Sequence, residues 1–163
     1  MTMIPITWED GRKRMVPEGT LLIRLAQEYQ HKYPNDILLA MVDNRLKELK
    51  DTLKKDCNLR FITAKEAYGM RAYERSLQLL MNRAVYKVLP VESVHKLTTC
   101  FSVTTGFYVE LKGDFVLDEE LLKKIEDAMR ELVAKNLPIK KTVVSTEEGR
   151  EIFHRMRMYD KEK

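Results

Sequence analysis

Residues 3–29 read MIPITWEDGRKRMVPEGTLLIRLAQEY, and this stretch decides the fold. Met3–Trp8 is apolar and β-branched and stops at Glu9-Asp10-Gly11. Asp-Gly is among the strongest short hairpin signals, because its backbone tolerates positive φ, so a second strand is predicted over 13–16. Pro17-Glu18-Gly19-Thr20 then interrupts the strand, and Thr20 is the expected N-cap of a helix. In that helix Leu21, Leu22, Leu25, Ala26 and Tyr29 recur at helical spacing, one apolar stripe that has to face a core. Tyr33-Pro34-Asn35-Asp36 ends it. Further on, Ile37–Val42 reads as a buried strand with a turn at Asp43-Asn44. Leu46, Leu49 and Leu53 lie in a charged connecting segment, and 58–63 returns as a strand. A hairpin, a helix and two further strands within this length imply a short mixed sheet crossed by one helix, the β-grasp arrangement.

Beyond it, Thr63-Ala64-Lys65-Glu66 has the form of a capping box. A long helix is predicted from there to about Leu89, with Tyr73, Leu77, Leu80, Ala84, Val85 and Val88 as its buried face. Residues 97–103 and 107–111 are strand candidates around the turn Thr104-Thr105-Gly106. Asp118 caps a helix whose Leu121, Leu122, Ile125, Met129, Leu132 and Val133 form a stripe, and Asn136-Leu137-Pro138 stops it. A strand is predicted over 139–144. Ser145-Thr146-Glu147-Glu148 is a second capping box, opening a last helix through about Met156, and the polar tail 159–163 is expected to fray. The fold class is α+β, with a boundary near Thr63 and no flexible linker, because no Gly/Ser/Pro-rich stretch separates the halves. The domains are accordingly 1–63 and 64–163.

The 163 residues suit one average domain or two small ones, and 44% apolar with 33% charged is an ordinary balance for a chain that buries a core. The net charge of +4 is a small difference between 29 basic and 25 acidic side chains. Up to Ile62 there are 11 basic against 9 acidic residues, and after it 18 against 16, so neither half is polarised toward nucleic acid. No apolar run approaches the roughly 20 residues of a membrane span, and the first residues lack the features of a signal peptide. The two cysteines, Cys57 and Cys100, are expected as buried thiols in a reducing cytoplasm.

Chemistry is sparse. There is no Gly-Lys-Ser or Gly-Lys-Thr and no glycine cluster, so a phosphate-binding loop is absent and no cofactor is expected in these residues. His31, His95 and His154 are isolated, no spacing resembles a zinc site, and no metal is expected. Cys100 in a buried strand would ionise poorly, which argues against a Cys/His nucleophile. Glu119-Glu120 and Glu147-Glu148 sit in first helical turns, where they oppose the helix dipole. Arg12-Lys13-Arg14, Lys54-Lys55 and Lys140-Lys141 are short basic runs flanked by acids. A solvated face is the favoured reading over phosphate contacts, since aromatic residues are not interleaved with them as in a single-strand binding platform. No catalytic residue emerges from this inventory.

Asp10-Gly11, Val16-Pro17-Glu18-Gly19-Thr20, Leu25-Ala26, Val42-Asp43 and Asp56-Cys57 together resemble the TGS domain. This β-grasp module is shared by threonyl-tRNA synthetases, some GTPases and stringent-response proteins. Arg75-Ser76, Leu80-Met81, Ala84-Val85, Gly106-Phe107-Tyr108, Ile125-Glu126, Met129 and the segment from Ser145 to Phe153 resemble the module that follows it in those synthetases, the second additional domain. The single motifs are weak, but their order covers nearly the whole chain.

In the synthetases that module edits mischarged tRNA with two histidines four residues apart on the long helix. The resemblance places Arg75 and Leu79 at those positions, and a leucine cannot accept a proton, so editing is expected to be lost. The same modules without the histidines resemble the N-terminal extension of bacterial uridine kinase-like nucleoside kinases, and the ending, Phe153-His154-Arg155 and Met158 through Lys163, resembles the lead-in to their kinase domain. The resemblance then implies an accessory or regulatory region, with ATP and Mg belonging to a following kinase domain as partner. The alternative is an RNA- or tRNA-binding module without editing activity; a residual hydrolase is disfavoured by Leu79. If the old editing cleft persists, the resemblance places Arg75, Tyr108, Glu110 and Lys141 near it. Arg75 and Lys141 could hold a nucleotide or RNA phosphate there. A solvated cleft with surface ion pairs is the favoured reading. Partners are therefore a kinase domain, a small ligand or RNA, with no membrane, and the oligomeric state stays open.

Overall fold

A computed structural model describes residues 2–104 and 106–162. Thr105 of the expected turn and Lys163 of the expected tail lie outside the described residues. The chain is α+β and divides into two compact units, one through Ser76 and one from Leu77.

In the first unit β1 (Met3–Trp8) turns at Gly11, where φ is +79°, and pairs antiparallel with β2 (Lys13–Pro17), Ile4 opposite Val16. α1 (Leu22–Tyr29) follows, then β3 (Ile37–Val42), β4 (Arg45–Glu48) and β5 (Cys57–Thr63). The sheet order is β2-β1-β5-β3-β4, with β1 and β5 parallel at the centre, Ile6 beside Cys57 and Trp8 beside Leu59. A parallel pair cannot be closed by a hairpin, so the chain has to cross the sheet between them, as α1 does. That is the β-grasp topology. Alternation along the strands turns Ile4, Ile6, Leu59 and Phe61 inward onto Leu22, Leu25 and Ala26 of α1. An aromatic cluster closes one end, with Trp8 and Tyr29 at 4.4 Å between centroids and the Tyr33 ring edge-on to Phe61 at 6.1 Å.

Two expectations for this unit are corrected. The segment holding Leu46 is a strand, β4, folded back onto β3 by Asp43 and Asn44 at φ 47° and 64°. All four of its residues are exposed, so no apolar period marked it. The cap of α1 is Leu21 rather than Thr20, whose hydroxyl donates to the Pro17 carbonyl at 2.6 Å. The first amides of the helix instead donate to main chain, Leu22 to Asp51 at 3.0 Å and Ile23 to Leu49 at 2.7 Å.

α2 (Ala67–Val88) begins after half of the expected box: Glu66 accepts from the Thr63 amide at 3.2 Å. In the second unit its C-terminal half packs with β6 (Val94–Val103), β7 (Gly106–Gly113) and α3 (Glu119–Ala134) around Ala84, Val85, Leu97, Leu121 and Ile125. Asp118 caps α3, accepting from the Leu121 amide at 2.8 Å. α4 (Thr146–Arg155) opens with a complete Ser145/Glu148 capping box.

Further corrections concern what the apolar stripes meet. Tyr73 and Leu77 of α2, and Leu122 and Val133 of α3, are exposed, because burial is confined to the residues that face the hairpin and its neighbouring helix. Residues 139–144 form no strand; the apolar side chains Ile139, Val143 and Val144 are exposed, and among the described residues β6 and β7 pair only with each other. The tail is not frayed as far as it is described. Asp160 accepts from the Leu97 amide at 3.2 Å and Lys161 donates to the Leu97 carbonyl, so two side chains occupy the open edge of β6. No helix among the described residues is long and apolar enough to cross a membrane.

Close approach at Gly113 leaves no room for a side chain: a Cβ would stand 1.9 Å from the Ser93 carbonyl oxygen. Gly113→Ala is expected to cost about 1–3 kcal/mol through overpacking. Phe61→Ala, which empties the centre of the first unit, is expected to cost about 3–5 kcal/mol. Urea unfolding of each variant measures both.

Candidate nucleic-acid interface

The outer face of the β6–β7 hairpin is set by two irregularities in β6. Between Thr99 and Phe101 the register shifts, so Thr99 faces Val109 and Phe101 faces Tyr108, with Cys100 as the extra residue. Without that shift, alternation would put Phe101 on the opposite face from Thr98. With it, Thr98 opposite Glu110 and Phe101 opposite Tyr108 share one side. Lys96 opposite Lys112 joins them after a second shift between Val94 and Lys96. The inward partners Leu97, Val109 and Leu111 go to the core.

The outer face therefore carries a ring stack beside a charge cluster. Phe101 and Tyr108 are stacked with centroids 5.1 Å apart and planes 14° from parallel, and they remain 59% and 52% exposed. Glu110 accepts from Lys112 at 2.6 Å and from Lys96. These two bonds, Lys112 first and Lys96 second, hold its carboxyl at about 2. The same bond raises the Lys96 ammonium above its ordinary value. Two ammonium groups on one carboxylate leave the cluster of Lys96, Lys112 and Glu110 with one net positive charge. His95 and Asp114 sit at its end, 3.1 Å apart. Flat exposed rings next to surplus cations suit a base on the rings and a phosphate on the lysines.

Of the residues singled out in the sequence, Tyr108 and Glu110 are brought together on this face, two apart on β7. Arg75 is exposed on α2 in the first unit, and its side chain makes no ion pair or hydrogen bond among the described residues. Lys141 is exposed in the irregular segment between α3 and α4. Leu79 is exposed on α2. Cys100 is exposed, not buried, because the register shift makes it the unpaired residue of the strand; its thiol lies 3.7 Å from the Thr98 carbonyl. Phe101, Lys96 and Lys112 were not anticipated. Aromatic and basic residues are interleaved here after all, but only across the strands. The available signal was the pairing of residues 94–103 with 106–113, and the shift at Cys100 decides which of them share a face. Among the described residues no three His, Cys, Asp or Glu side chains converge as metal ligands.

Because its folded value is depressed, Glu110 adds stability that is fully present above its ordinary value of 4.5 and is lost as pH falls toward about 2. Lys112→Ala is expected to return the carboxyl toward 4.5, which a side-chain carbon NMR titration would detect as an upward shift of the midpoint.

No protein-family model matches the chain. Curated relatives do. The chain is 31% identical over 151 residues to a threonine–tRNA ligase of Thermotoga neapolitana, a match covering 92% of this chain and 23% of the relative. A threonine–tRNA ligase of Francisella tularensis is likewise 31% identical over 151 residues, at 93% and 23% coverage. That of Symbiobacterium thermophilum is 29% identical over 152 residues, with the same coverage. The chain spans about a quarter of the length of the relatives it matches. Most of this chain is thus similar to one part of proteins named threonine–tRNA ligase, at about 30% identity.

Proposed function

We propose that this chain is an RNA-binding module related to the N-terminal region of threonyl-tRNA synthetases, one that grips tRNA without editing it. The exposed Phe101–Tyr108 stack flanked by Lys96 and Lys112 carries this reading, and the similarity to threonine–tRNA ligases supports it. In this reading residues 1–63 are the TGS domain and 64–163 the second module. A base stacks on Tyr108 and Phe101, Lys112 and Lys96 meet the backbone, and Glu110 holds both lysines in place between encounters. Arg75 and Lys141 are further phosphate contacts. Hydrolysis is not assigned. Leu79 offers no proton acceptor, and no metal or cofactor is invoked. The accessory-region reading, with ATP and Mg in a following kinase domain, has no observation on the structure in its favour, and the relatives reported above are named ligases.

Fluorescence anisotropy with single-stranded RNA and with tRNA tests the proposal. Base stacking contributes roughly 1–3 kcal/mol per base, so Tyr108→Ala and Phe101→Ala should each weaken binding about 10- to 100-fold. Affinity should fall steeply with salt, and Lys112→Ala should flatten that slope by roughly 0.7–0.9. RNA binding that neither ring substitution alters would refute the assignment to this face.

A further inference from the structure

Within the first unit, the segment after β4 folds back against the start of α1 and encloses a groove of about 660 Å³. Five basic residues line it: Arg45, Lys47, Lys50, Lys54 and Lys55. They come from three places in the chain, the edge strand β4, the loop after it and the approach to β5. The sequence showed only the pair Lys54-Lys55, flanked by Asp51 and Asp56. Folding gathers the others, and the acids at the groove are already engaged. Asp43 accepts from the Asn58 amide at 2.9 Å, and Asp51 lies 3.7 Å from Lys47. The side chains of Arg45, Lys54 and Lys55 make no hydrogen bond or ion pair among the described residues. Cations of one sign around one concavity repel each other and raise the local concentration of anions.

The wall that carries them is held by main chain. Leu22 donates to Asp51, Ile23 to Leu49 and Gly19 to Leu53, while Leu53 donates to Thr20, all at 2.7–3.0 Å. An isolated bridge joins Leu21 to Thr52. Leu53 and Leu22 are buried beneath the loop. The groove is therefore formed before any ligand arrives, and little ordering has to be supplied on binding.

We propose that this groove binds a small ligand bearing adjacent phosphate groups, held by Arg45, Lys54 and Lys55. Arg45 supplies a bidentate donor fork and the two lysines supply point charges on freely swinging stems. The site belongs to the first unit and does not depend on the hairpin of the second.

The test is an amide-resolved NMR titration of the 163-residue chain with inorganic tripolyphosphate, repeated with a nucleoside triphosphate. Saturable shifts confined to residues 42–57 are expected with both. Arg45→Glu/Lys54→Glu should raise the dissociation constant roughly tenfold or more while leaving the rest of the spectrum in place. Arg45→Gln/Lys54→Gln, a milder pair, should act in the same direction and guards against a folding defect. Lys123→Glu/Lys140→Glu changes the net charge equally elsewhere and should have little effect. Equal losses in that control, shifts that never saturate, or shifts in 42–57 with RNA but none with tripolyphosphate would each overturn the proposal, leaving the cations as guards against edge-to-edge pairing of β4. Ring substitutions on the hairpin should leave this titration unchanged, so failure of the RNA-binding reading would not be mistaken for failure of this one.

Discussion

Backbone N–H and C=O groups that leave water need partners, and both units are organised by how they find them. In the first unit the opening amides of α1 have no side-chain cap; they donate instead to the carbonyls of Leu49 and Asp51. That arrangement pins a loop of charged residues against the helix, and the pinned loop is what encloses the basic groove. In the second unit the free edge of β6 at Leu97 is met by Asp160 and Lys161, which take its amide and carbonyl as a neighbouring strand would. Two side chains thus end a sheet that is only two strands wide.

The hairpin shows how a local irregularity creates a surface. One additional residue at Cys100 reverses the facing of everything beyond it in β6. Phe101 comes to lie over Tyr108 on the outside, while Leu97, before the shift, stays in the core. The rings are left in water beside two lysines that share one carboxylate. Large exposed apolar groups cost solubility and mark interaction surfaces when they are grouped. Here the grouping couples flat rings to surplus positive charge, which is the pairing a nucleotide requires.

Much of the architecture was legible along the chain. The Asp10-Gly11 turn, the stripe of α1, the Asp118 cap and the Ser145/Glu148 box are local events, decided by residues within a few positions of each other. β4 was not legible because Arg45 to Glu48 are all exposed, and its existence depends on β3 lying alongside. The β-branched residues Ile139, Thr142, Val143 and Val144 misled in the opposite sense: such residues favour a strand only where another strand offers its edge.

By itself the sequence determined most of the elements, though not β4, together with the β-grasp arrangement and the α+β class, because turns, caps and periodicity are short-range. Tertiary structure alone decided which charges and rings meet. Tyr108 and Glu110 were visible as residues, but their partners Phe101, Lys96 and Lys112 were assigned by strand register. Arg45 joined Lys54 and Lys55 only when the loop closed on α1. Both surfaces arise from contacts between residues distant in sequence, and composition balanced over the whole chain carries no trace of where its charges gather.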